Sequence, residues 1–82
     1  MRIDKFLNIV NIVKRRTIAN DMLEHGVVFL NASIVKPSKD VKVGDIIEIK
    51  YLEYTKKYEV LQIPTAKTIS KDKSADFARE IL

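Results

Sequence analysis

Apolar positions recur along the chain in two different rhythms. Ile3, Phe6, Leu7 and Val10 fall at the i, i+3, i+4, i+7 spacing of one helical face, which predicts an amphipathic helix from residue 2 to about residue 12. Arg2 and Lys5 project away from that face. Ile18, Ala19, Met22 and Leu23 form a second stripe, predicting a helix from about residue 15 to His25 that stops at Gly26. Lys14, Arg15 and Arg16 then occupy the corner between the helices.

From Val27 onward the rhythm changes. Val27–Leu30 predicts a short strand, Asn31, Ala32 and Ser33 a turn, and Ile34 and Val35 a return strand that Pro37 ends. After a turn at Val43, Gly44 and Asp45, strict alternation puts Ile47, Ile49 and Tyr51 on one face and Glu48 and Lys50 on the other. Residues 54–57 turn into a further strand, 58–63, closed by Pro64. These connections are too short for crossovers, so the sheet is expected to be antiparallel. Ser74, Phe77, Ala78 and Ile81 return to helical spacing and predict a short terminal helix from Asp72 to Leu82 that depends on docking.

The expected fold is therefore α+β: two N-terminal helices on a small antiparallel sheet, with a short C-terminal helix beside it. A chain of 82 residues supports one core, so residues 1–82 are expected to form a single domain. Residues 1–50 would be its binding core and 51–82 an extension with the final strand and helix.

Charge sharpens this picture. The net charge is +4. In residues 1–39, Arg2, Lys5, Lys14, Arg15, Arg16, Lys36 and Lys39 face only Asp4, Asp21 and Glu24, whereas residues 40–82 balance. An excess confined to one half points to a polyanionic partner. No acidic residue lies between positions 5 and 20, and a three-residue basic run so flanked favours nucleic acid over a merely solvated corner. Basic side chains at the start of a helix oppose its macrodipole, a conflict that a bound phosphate removes. Arg15 and Arg16 carry planar forks suited to phosphate, and Lys14 adds a point charge. Asp4 is either an acidic residue favoured by the helix dipole or the group that orients Arg16 by an ion pair across the corner, or both.

Other chemistries find little support. There is no cysteine and a single histidine, His25, which fits a helix C-terminus. Gly26 and Gly44 form no phosphate loop, and no serine is near a histidine. No enzyme activity, metal or cofactor is expected. Tyr51, Tyr54 and Tyr58 are expected to pack in the core or at the sheet edge. No apolar run approaches a membrane span or a signal peptide, so a cytoplasmic protein without a membrane partner is expected.

Together these residues resemble the S-four RNA-binding domain family, named for a small-subunit ribosomal protein. The resemblance rests on Arg2, Asp4, Lys5, Phe6 and Leu7; on Lys14, Arg15, Arg16, Thr17 and Ala19; on Gly26, Val28 and Asn31; and on Lys36, Pro37, Ser38, Val43, Gly44, Asp45 and Ile47. It covers residues 1 to about 50. The family's usual hairpin turn is Asn-Gly, and Asn31–Ala32 departs from it, which leaves the turn geometry open.

The chain most resembles stand-alone members that act in ribosome quality control. The charge pattern, taken with the resemblance, gives an expected RNA face of Arg2, Lys5, Lys14, Arg15, Arg16, Lys36, Ser38 and Lys39, with Asp4 orienting. The resemblance implies contacts to rRNA and tRNA on a large ribosomal subunit carrying peptidyl-tRNA, and an RqcH-type tail-adding factor as partner; the protein itself is expected to be a monomer. Two alternatives remain: a protein-interaction adaptor whose basic patch is incidental, and a heat-shock ribosome-recycling factor.

Overall fold

The N-terminal apolar spacing produces α1 (Ile3–Ile9), with Ile3, Phe6, Leu7 and Ile9 buried and Lys5 exposed, in a computed structural model that describes residues 1–82. The helix stops short of residue 12 because Asn11 turns left-handed (φ 65°). The Asn11 N–H then donates to the Asn8 carbonyl at 3.1 Å and the Ile12 N–H to that of Leu7 at 3.0 Å, a closure that satisfies the last carbonyls. A matching closure ends α2 (Arg16–Glu24) at Gly26 (φ 71°): its N–H reaches Leu23 O at 3.2 Å and that of Val27 reaches Met22 O at 3.3 Å. Ala19 and Leu23 are buried and Met22 half-buried, but Ile18 is 46% exposed, so the apolar stripe of α2 is narrower than its spacing suggests.

Five strands, β1 (Val28–Leu30), β2 (Ser33–Ile34), β3 (Ile46–Lys50), β4 (Thr55–Val60) and β5 (Ala78–Ile81), form one antiparallel sheet in the order β2-β1-β3-β4-β5. The register aligns Leu30 with Ile47 and Tyr58, and Val28 with Ile49. Since paired residues share a face, Val28, Leu30, Ile47, Ile49, Val60 and Ala78 meet α1 and α2 in one core with Ile3, Phe6, Leu7, Val10, Val13, Ala19, Leu23 and Val41.

Three expectations need correction. The hairpin turn is only Asn31–Ala32, so β2 begins at Ser33 instead of Ile34. β4 begins at Thr55 instead of residue 58, because the Tyr51 N–H donates to Tyr54 O at 2.8 Å and closes a tight turn that lets Lys50 pair with Thr55. The expected helix at 72–82 is instead a 3-10 turn (Lys71–Asp76) followed by β5. A short terminal helix is marginal alone, whereas the free edge of β4 offers unpaired backbone groups. β5 takes that edge, buries Ala78 and sets Arg79 Nη2 2.6 Å from Glu59 Oε1 across the strands.

The β1–β2 turn carries a local strain. Asn31 (φ 50°) and Ala32 (φ 69°) are both left-handed, as a two-residue hairpin of this hand requires. Asn31 also ties the hairpin to β3: its Oδ1 accepts from the Ile46 N–H at 2.9 Å and its Nδ2 donates to Asp45 Oδ1 at 3.1 Å. Ala32 has no such recompense for its conformation. Ala32→Gly should therefore raise stability by about 0.5–1 kcal/mol, and Asn31→Ala should lower it by about 1–2 kcal/mol. Urea denaturation checks both.

Candidate nucleic-acid interface

Two chain segments far apart in sequence build the basic surface. Residues 37–41 run antiparallel to the N-terminus: the Ile3 N–H donates to Lys39 O at 2.7 Å, that of Asp4 to Pro37 O at 3.3 Å and that of Val41 to Met1 O at 2.9 Å. This pairing sets Lys36, Ser38 and Lys39, all exposed, beside Arg2. The helix corner supplies the rest. Asn8 Nδ2 donates to Val13 O at 3.3 Å and Lys14 O at 3.1 Å, which fixes the linker while Val13 anchors it in the core. Lys14, Arg15 and Arg16 are left exposed. No side chain caps the first turn of α2, so its N–H groups face solvent or an anion.

Asp4 joins these parts. It is 1% exposed, yet every bond that a buried carboxylate needs is present. Arg2 approaches as a fork, Nε 3.2 Å from Oδ1 and Nη2 3.1 Å from Oδ2. Arg16 Nη2 lies 3.4 Å from Oδ1, Asn20 Nδ2 donates to Oδ2 at 3.4 Å, and the Lys5 N–H donates to Oδ1 at 2.7 Å. Burial alone would raise the Asp4 pKa, but the Asn20 amide, the Lys5 N–H, Arg16 and Arg2 together outweigh it and hold the carboxyl below its ordinary range. Asp4 therefore stays ionised, and its charge also suits the dipole at the start of α1.

Both guanidinium groups remain about half exposed while their inner edges are held. Their outer donors line an open recess of about 370 Å³ with Thr17, Asn20 and Asp21, and no hydrophobic residue contributes to it. Preset forks on a polar recess suit phosphate oxygens.

Asp4 thus orients Arg2 as well as Arg16. The side chains of Lys5, Lys14, Arg15, Lys36, Ser38 and Lys39 make no hydrogen bond or ion pair to this hub; they are five independent charges and one hydroxyl. Ser38 and Lys39 line a separate recess with Asn31, Asp40, Lys42 and Asp45. Sequence reasoning passed over Asn8 and Asn20. Asn20 was accessible through its i, i+4 relation to Arg16, which puts both on one face of α2, whereas the role of Asn8 depends on the path of the linker. Tyr51 and Tyr54 stack at 4.8 Å at the β3–β4 turn, away from the hub, with Tyr51 half-buried and Tyr54 57% exposed. His25 ends α2, its Nδ1 2.6 Å from Asp21 O.

A lowered carboxyl pKa in the fold contributes stability above the ordinary aspartate value of 3.8, and that contribution disappears as pH falls through the lower folded value. Asp4→Asn should cost about 1–3 kcal/mol at neutral pH, the half-exposed arginines limiting the loss. The gap between wild type and variant should close in acid below pH 3.8. Urea titrations across pH check this, and a constant gap would assign the effect to shape and not to charge.

Residues 1–47 match the family model described as the S4 domain. The chain is 55% identical over 69 residues to the RQC P-site tRNA stabilizing factor of Helicobacter pylori strain J99, covering 84% of this chain and 82% of the relative. It is 39% identical over 51 residues to the factor of the same name from Bacillus subtilis, covering 62% and 59%. Among solved structures, the trimeric Vibrio cholerae Heat Shock Protein 15 superposes with a TM-score of 0.89 at 28% identity, covering 99% of this chain and 81% of the other. The solution structure of the hypothetical protein HP1423 gives 0.86 at 44% identity, covering 100% and 98%. The fold thus has close counterparts, and the chain belongs to the S4 domain family.

Proposed function

We propose that the protein is a non-enzymatic RNA-binding factor that docks on the large ribosomal subunit through the surface around Asp4. The observation that carries this reading is the pair of guanidinium groups, Arg2 and Arg16, held on one buried carboxylate with their outer faces free. Folded RNA presents phosphates and few readable base edges, so fixed forks with surrounding point charges suit recognition by shape and charge. Arg2, Arg16, Lys5, Lys14, Arg15, Lys36, Ser38 and Lys39 supply the contacts, and Asp4 positions two of them.

The relatives' name, RQC P-site tRNA stabilizing factor, supports a specific target: rRNA and tRNA on a large subunit that still carries peptidyl-tRNA. In this role the protein works in the cytoplasm as a monomer, beside an RqcH-type factor that extends the stalled chain. The heat-shock alternative is supported at 28% identity, against 55% and 52% for the stabilizing factors.

Affinity for large subunits should fall roughly 10²- to 10³-fold between about 50 and 200 mM salt, as for four to six neutralised phosphates. A flat salt response contradicts the electrostatic mechanism. Lys14→Ala combined with Arg15→Ala should weaken binding by at least about tenfold and leave the thermal midpoint nearly unchanged, since neither side chain has an ion pair in the fold. Arg16→Ala should weaken binding too but also lower the midpoint, because it takes a partner from Asp4. Filter binding and thermal melts separate the two effects.

A further inference from the structure

Residues 40–82 are electrically neutral as a sequence, but their charges are not balanced in every segment. Glu48 pairs across the sheet with Phe29 and Lys57 in register, and Glu59 with Ile46 and Arg79, on the face away from the helices. Glu59 is bound by Arg79 at 2.6 Å. The segment between β4 and β5 is different. Lys67, Lys71 and Lys73 are all exposed, none takes part in an ion pair, and between Pro64 and Lys73 the one acidic residue is Asp72.

A single side chain moors this segment to the helix corner. Asn11 Nδ2 donates to Ile69 O at 2.8 Å and to Ser74 Oγ at 2.7 Å, and Ser74 Oγ donates to Ser70 O at 3.3 Å. Farther along, Gln62 Nε2 donates to Asp76 O at 3.0 Å. Asn11 lies three residues before Lys14, a backbone reach of at most about 11 Å. Lys73 adjoins Ser74, and Lys71 is two residues from Ile69. The mooring therefore holds these lysines beside the linker that carries Lys14 and Arg15.

From this placement we infer that Lys67, Lys71 and Lys73 extend the RNA-binding surface beyond the residues that match the S4 domain, and that Asn11 is the positioning residue that joins the two parts. The inference rests on the RNA-binding reading above. It assigns Asn11 two separable roles. Its left-handed backbone ends α1, and its amide carries the C-terminal segment. Exposed, unpaired lysines lose no internal partner when they neutralise phosphate.

The two roles can be separated, because Asn11→Gly keeps the left-handed cap and removes only the amide. Binding of purified large ribosomal subunits carrying peptidyl-tRNA would be measured over a salt series for wild type, K14A/R15A, K67Q/K71Q/K73Q and N11G, with a thermal melt of each. The triple-lysine variant should bind about tenfold or more weakly, with the slope of log affinity against log salt reduced by roughly two to three and an unchanged melt. N11G should reproduce a severalfold part of that loss. Wild-type binding and slope in the triple-lysine variant, with K14A/R15A impaired, overturns the extended surface alone. Wild-type binding in N11G with the triple-lysine variant impaired overturns the positioning role. Wild-type binding in K14A/R15A as well overturns the RNA-binding reading on which the inference stands.

Discussion

The buried carboxylate of Asp4 is the point on which the binding surface depends. An ionised group at 1% exposure is tolerated only when fully bonded, and Asp4 obtains its bonds from Arg2, Arg16, Asn20 and the Lys5 N–H. That requirement brings together the residue before α1, the first turn of α2 and the turn after it. It also converts two long, mobile cations into forks of fixed direction, lowering the entropy lost when they meet an anion. In the proposed role, the same contact couples folding to binding through Arg16.

The sheet contributes by what it holds in place. β1 and β3 carry the apolar floor for α1 and α2, and the chain between β2 and β3 returns along the N-terminus, adding Lys36, Ser38 and Lys39 to the basic surface. β5 closes the edge of β4 and brings the chain before it back to Asn11. On the polar outer face of the sheet, Glu48 lies opposite Lys57 and Glu59 is paired with Arg79, so the charges there balance locally.

Much of this was legible in the sequence, for identifiable reasons. Ile3, Phe6, Leu7 and Val10 announce α1, Gly26 the end of α2, and the Ile47–Ile49 alternation β3, because each is a local signal tied to burial or to a backbone conformation. The basic corner was also legible, from the concentration of Lys and Arg in the first half. What was not legible depended on distant partners. The strand at Ala78–Ile81 follows from the open edge of β4, which no helical periodicity reports, and α1 ends early because Asn11 adopts a left-handed closure that a chain pattern does not mark. Asp4 could be weighed as an ion-pair partner of Arg16, but its bidentate bond to Arg2 and its bond to Asn20 needed the packed corner.

The ribosomal role turns on where the protein sits in a cell extract with stalled translation. Sucrose-gradient fractionation with and without stalled nascent chains measures this directly. The account predicts enrichment on large subunits that carry peptidyl-tRNA when chains are stalled, and loss of that enrichment at high salt. Sedimentation with small subunits, or an unchanged position at the top of the gradient under stalling, would contradict it.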